Sequence, residues 1–79
     1  MEVRVHLEPF TNQETAQTGG GYGLTTYEIH IDNNMDAHNQ RETIIHEIIE
    51  QFCPMWPHDA VDLLTEAIMT GLEELENVH

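Results

Sequence analysis

Residues 41–50 read Arg41-Glu42-Thr43-Ile44-Ile45-His46-Glu47-Ile48-Ile49-Glu50, and the rest of the chain is best read outward from them. Ile44, Ile45, Ile48, Ile49 and Phe52 recur at three- and four-residue spacing, which predicts one apolar stripe along an α-helix. The helix is expected to begin between Asp36 and Asn39, where Asn39 followed by Glu42 fits a capping box. It ends before Pro54, and Pro54-Met55-Trp56-Pro57 makes a stiff corner. A second helix is expected from there to about Glu76. Its Val61, Leu64, Ile68, Leu72 and Leu75 predict the face that packs on another helix. Gly71 lies inside it, at a cost of about 1 kcal/mol relative to alanine. Trp56 is expected to cover the core, Cys53 to be a small buried residue, and Met35, Met55 and Met69 to fill gaps.

Upstream of residue 41 the periodicity changes from helical to alternating. Val3, Val5 and Leu7 alternate with Arg4, His6 and Glu8, and Tyr27, Ile29 and Ile31 alternate with Glu28, His30 and Asp32. Each run predicts a half-buried strand. The polar stretch between them, residues 11–23, ends in Gly19-Gly20-Gly21-Tyr22-Gly23 and reads as a flexible connection. It lacks the lysine and helix start of a phosphate-binding loop. The economical arrangement is an antiparallel β-hairpin followed by two α-helices, an α+β fold of order β-β-α-α forming one domain over residues 1–79.

Composition narrows the partners. The chain of 79 residues has 15 Asp and Glu against two arginines, Arg4 and Arg41, with no lysine and a formal charge of −13. Nucleic acids and anionic membranes are bound through basic surfaces, so direct contact with either is not expected. Hydrophobic residues make up 39%, enough to take the chain out of the disordered class. Cys53 is the single cysteine, so neither an internal disulfide nor a zinc ribbon of CxxC pairs can form. The opening residues do not read as a signal peptide and no apolar run approaches the roughly 20 residues of a membrane helix, which makes the cytoplasm the expected compartment.

The chemistry that stands out lies on the first helix. Positions 46 and 50 sit one above the other, so a His46 nitrogen and a Glu50 carboxylate can converge on one Zn²⁺. Glu47 points to the neighbouring side, placed to take a proton from water rather than to coordinate. A further ligand must come from elsewhere. The start of the second helix offers His58 and Asp59, and its polar face offers Asp62 and Glu66. By spacing alone the same residues also describe a solvated acidic face, since HExxE is less specific than HExxH. His6 and His30 lie on polar strand faces and could be cross-strand neighbours, but with the register unknown they read as surface histidines. His38 reads as a helix-start residue and His79 as a terminal one.

The segments Gly23-Leu24-Thr25, Tyr27 to Asp32 and above all Arg41 to Ile49 resemble those of the minimal zincin-like metallopeptidases, especially very short phage and prophage proteins with an HExxH helix after a strand. The resemblance spans roughly residues 20–75 and is specific only in the first helix. It implies a zincin-like domain in which His46 is a metal ligand and Glu47 the general base, with His58 or Asp59 where a third ligand is expected. Glu50 replaces the second histidine. A site with more oxygen ligands selects less strongly for zinc over other divalent metals and is a poorer Lewis acid, so either an active peptidase or a non-catalytic relative is implied.

The leading expectation is thus a small zinc-dependent peptidase-like protein acting on a peptide or protein, with metal ligands among His46, Glu50, His58 and Asp59. The alternative is a non-catalytic acidic interaction protein that binds a basic partner or mimics nucleic-acid charge. A homo-oligomer is also open, because a hairpin with two helices leaves a sheet edge uncovered.

Overall fold

A computed structural model describes residues 1–10, 16–19 and 26–78, and contains β1 (Glu2–Glu8), β2 (Ala16–Gly19), β3 (Thr26–Asp32), α1 (Ala37–Phe52) and α2 (His58–Val78). The three strands form one sheet in the order β1-β3-β2. β1 runs parallel to β3, with Val5 opposite Ile29, His6 opposite His30 and Leu7 opposite Ile31. β2 runs antiparallel to β3, from Ala16 opposite Ile31 to Gly19 opposite Glu28.

This topology overturns the expected antiparallel hairpin between residues 2–8 and 27–32, and with it the minimal zincin-like β-β-α-α fold. Alternation of apolar and polar residues is the same in parallel and antiparallel strands, so it cannot set direction. What sets it is β2, which lies inside the stretch expected to be a plain connection. The chain leaves β1, returns in β2, and enters β3 between the two. Residues 11–15 and 20–25, including most of the glycine-rich stretch and the Gly23-Leu24-Thr25 segment, lie outside the described residues.

β3 is the centre of the fold. Tyr27, Ile29 and Ile31 are buried on one face, the two isoleucines completely, and Met35, Ile44 and Ile48 pack against them. Fully burying a side chain of this size contributes about 1.5–3 kcal/mol. The strand is closed by an Asx turn in which the Asn34 backbone N–H donates to Asp32 Oδ1 at 3.0 Å. The Asn33 N–H donates to the Glu8 carbonyl at 2.9 Å, which ties the end of β1 to the end of β3.

The cap of α1 is Asp36, whose Oδ1 accepts the Asn39 N–H at 2.8 Å. Asn39 is therefore the donor within the first turn, and the capping box expected at Asn39–Glu42 does not form there. α1 lies on β3 and reaches β2, while α2 packs on α1. Ion pairs from His38 to Glu73 and from Arg41 to Glu76 at one end, and from His46 to Asp62 at the other, show that the two helices run antiparallel.

α2 buries Val61, Thr65 and Met69, with Leu64 half-buried, whereas Ile68, Leu72 and Leu75 are exposed. The expected leucine-rich contact face is thus displaced around the helix. Thr65 can be buried because its hydroxyl donates to the Val61 carbonyl at 2.7 Å. Phe52 and Trp56 are exposed at 56% and 47%, so neither covers the core, and Met55 is exposed rather than filling a gap. Cys53 is half-buried. Among the described residues, no helix is long and apolar enough to cross a membrane.

Candidate metal centre

Three local features build the site. The helical repeat of α1 puts His46 and Glu50 on adjacent turns of one face, where His46 Nε2 meets Glu50 Oε1. The corner between the helices then turns sharply. The Cys53 N–H donates to the Ile49 carbonyl at 2.8 Å, and the Trp56 N–H to the Cys53 carbonyl at 3.0 Å. The Pro57 carbonyl accepts from Ala60 and Val61 at 3.0 and 3.2 Å and so starts α2. This short turn brings the first residue of α2, His58, back against the last two turns of α1.

The His46 and His58 rings meet edge to face, with centroids 5.0 Å apart and planes at 74°. One donor atom from each of His46, Glu50 and His58 lies within 4.8 Å of the other two. Zinc bonds of about 2.0–2.2 Å to nitrogen and oxygen place tetrahedral ligands about 3.3 Å apart, so small side-chain movements close the set. Two imidazole nitrogens and one carboxylate oxygen match the donors of catalytic zinc sites that keep a fourth position open. The residues present therefore fit a divalent transition metal.

The remaining groups stand around these donors. Asp62 Oδ1 lies 3.3 Å from His46 Nδ1, a close contact between a carboxylate and the ring edge turned away from Glu50. Sequence reading placed Asp62 on the polar face of α2 as a possible further ligand, and only the helix pairing shows it behind His46. Asp59 sits in the first turn of α2, exposed and outside the cluster, so of the two third-ligand candidates the structure brings in His58.

These residues line an open groove of about 420 Å³ whose walls also include Glu42, Thr43 and Glu47. Glu47 is half-buried and stands beside the three donors without joining them. Burial raises the pKa of its carboxyl above the ordinary 4.5, and the nearby Glu50 charge raises it further, while His46 and His58 pull it back down. The groove therefore holds a carboxylate that is more basic than usual beside a place where a cation fits.

A second histidine–glutamate group lies on the sheet, where the parallel register sets His6 opposite His30 with Glu28 beside them. The sequence leaves open whether these histidines are cross-strand neighbours or plain surface residues, and the register makes them neighbours. Alternation showed that both were on polar faces, but only strand direction and register could show that they meet. Comparison with protein-family models, with curated proteins and with solved structures finds no match for this chain, so what the site does must be read from its own residues.

Proposed function

We propose that the chain is a small zinc-binding protein whose helix-borne centre, His46, Glu50 and His58, supports hydrolysis of a peptide bond with Glu47 as general base. The observation that supports this reading is the convergence of three donors of the right chemistry from two helices onto one point of a groove. A divalent ion held there would supply Lewis acidity and a more acidic water. The chain's own residues do the rest. Asp62 stands behind the His46 ring, and the groove leaves the three donors open to solvent. Glu47 takes a proton from the attacking water and returns it to the departing amine, so the C–N bond breaks as the C–O bond forms. The resemblance of Arg41 to Ile49 to the zincin helix points to the same role for His46 and Glu47.

The test is cleavage of an unstructured peptide mixture by zinc-loaded protein, followed by mass spectrometry, beside Glu47→Gln. General bases contribute about 10²–10⁴-fold, so cleavage is expected to fall at least a hundredfold while zinc affinity changes little. Equal cleavage by the variant would remove Glu47 from the chemistry. Stoichiometric zinc binding without any cleavage would overturn the hydrolytic part and leave a metal protein. One observation favours a different reading, an acidic module for a basic protein partner: the carboxylates of α2 stand largely in solvent beside exposed Leu72 and Leu75. A complex that dissolves with salt and survives His46→Ala would select that reading.

A further inference from the structure

The face of the sheet turned away from the helices carries residues of even number from β1 and β3. Parallel pairing places Arg4 opposite Glu28, His6 opposite His30 and Glu8 opposite Asp32. The His6 and His30 rings stack with centroids 4.5 Å apart and planes at 15°. One donor atom from each of His6, Glu28 and His30 lies within 4.8 Å of the other two, and all three residues are half-buried. Glu8 adds a carboxylate at the rim, with Oε2 3.3 Å from His30 Nδ1.

An ordinary ion-pair cluster accounts for this poorly. His6 Nε2 is sealed from solvent, and among the described residues it has no aligned hydrogen-bond partner, although Glu28 Oε1 is 3.4 Å away. A ring nitrogen that has left water without gaining a hydrogen bond is at a disadvantage that a bound cation would remove.

The location matters as well. Among the described residues, β1 is an edge strand that pairs only with β3. Neither helix packs on it, and its Val3, Val5 and Leu7 are exposed. A ligand bridging residues 6 and 30 would fasten the least supported strand to the best supported one.

We propose that His6, Glu28 and His30 form a second divalent-metal site, separate from the helix-borne centre, that clasps β1 to β3. Two nitrogens and one oxygen select Zn²⁺, Co²⁺, Ni²⁺ or Cu²⁺ over Ca²⁺ and Mg²⁺, which prefer all-oxygen shells. The role is structural: this cluster lies on the sheet face opposite the one on which α1 packs.

The test is calorimetric titration of Zn²⁺ into the full chain stripped with chelator, in excess Mg²⁺. In a His46→Ala/His58→Ala background, one saturable equivalent is expected to remain, and it should raise the thermal unfolding midpoint. Adding His30→Ala should weaken it at least tenfold and abolish the thermal shift. Glu28→Gln, which keeps the side-chain shape, should weaken it without disturbing the far-ultraviolet circular dichroism. With the helix centre intact, His30→Ala should lower the stoichiometry from two to one. The proposal is overturned if the double variant takes up no saturable zinc, if Mg²⁺ displaces it, or if binding is indifferent to both His30→Ala and Glu28→Gln. The double variant isolates this site, so its result does not depend on the fate of the helix centre.

Discussion

The helix-borne cluster and the strand-borne cluster use the same donors, two histidines and a glutamate, but assemble them by different periodicities. In the first, His46 and Glu50 are neighbours because one helical turn separates them, and His58 is added by a tight corner. In the second, His6 and His30 are distant in sequence and meet only because β1 and β3 run parallel in one register. A local cluster of this kind survives small changes in the fold. A register-dependent cluster does not, because a slip by one residue sends its side chains to the other face of the sheet. The helix centre should therefore bind in any chain whose α1 and corner are intact, whereas the strand centre should report on the whole sheet.

The most severe way to break that comparison is to remove the core beneath both. Ile29 is fully buried between Glu28 and His30 and packs under α1. Ile29→Ala is expected to cost about 2–5 kcal/mol, measured by urea denaturation. In a core this small the loss should abolish the strand centre and weaken the helix centre.

A selective break comes next. His58→Ala should lower zinc affinity at the helix centre by tenfold or more in calorimetry and leave binding at His6, Glu28 and His30 unchanged. Equal loss at both would mean that the clusters are coupled through the fold rather than independent.

Stability without metal sharpens the comparison further. Among the described residues, and apart from its own helix backbone and chain neighbours, nothing lies within 4 Å of a side-chain methyl added at Gly71. Gly71→Ala should raise stability by about 1 kcal/mol through helix propensity, with both zinc affinities unaltered.

The smallest effect concerns pH. The Glu47 carboxyl is raised above its ordinary 4.5 by burial and by Glu50, so ionising it is harder in the folded chain than in the unfolded one. Its contribution to stability is intact below pH 4.5 and is lost as pH rises through the elevated value. In metal-free protein, Glu47→Gln should therefore have the higher melting temperature at pH 7, with the gap closing as pH falls toward 4.5. A gap that widened on acidification would contradict the burial of Glu47.

Which parts were legible in the sequence follows from the same contrast between local and distant order. The approximate spans of both helices, and the pairing of His46 with Glu50, depend on spacings of a few residues. His58 is legible as one of two candidates, beside Asp59, at the start of the second helix, and the fold brings in His58. Asp62 behind His46 depends on the angle between the helices, which no local pattern encodes. Strand direction was misread because Ala16-Gln17-Thr18-Gly19 has neither β-branched alternation nor apolar bulk, so β2 left no pattern to find. The buried face of α2 was misread for a related reason. The three-four spacing of Val61, Leu64, Ile68, Leu72 and Leu75 meets the packed side at Val61 and Leu64 but leaves it beyond them. There the buried positions follow a four-residue step through Thr65 and Met69, and Thr65 can join by satisfying its hydroxyl internally.

The proposed chemistry requires His46, Glu50 and His58 to form one discrete metal centre. Zinc titration followed by NMR of the histidine side-chain nitrogens tests it most directly. His38 serves as an internal control, because it lies on α1 among the carboxylates of Glu42 and Glu73 but belongs to neither donor cluster. The predicted result is that the His46 and His58 rings shift together, saturate at one equivalent and lose the response in Glu50→Ala, while His38 stays unchanged. Gradual, unsaturable shifts shared equally by His38 would contradict it and show an acidic surface collecting ions.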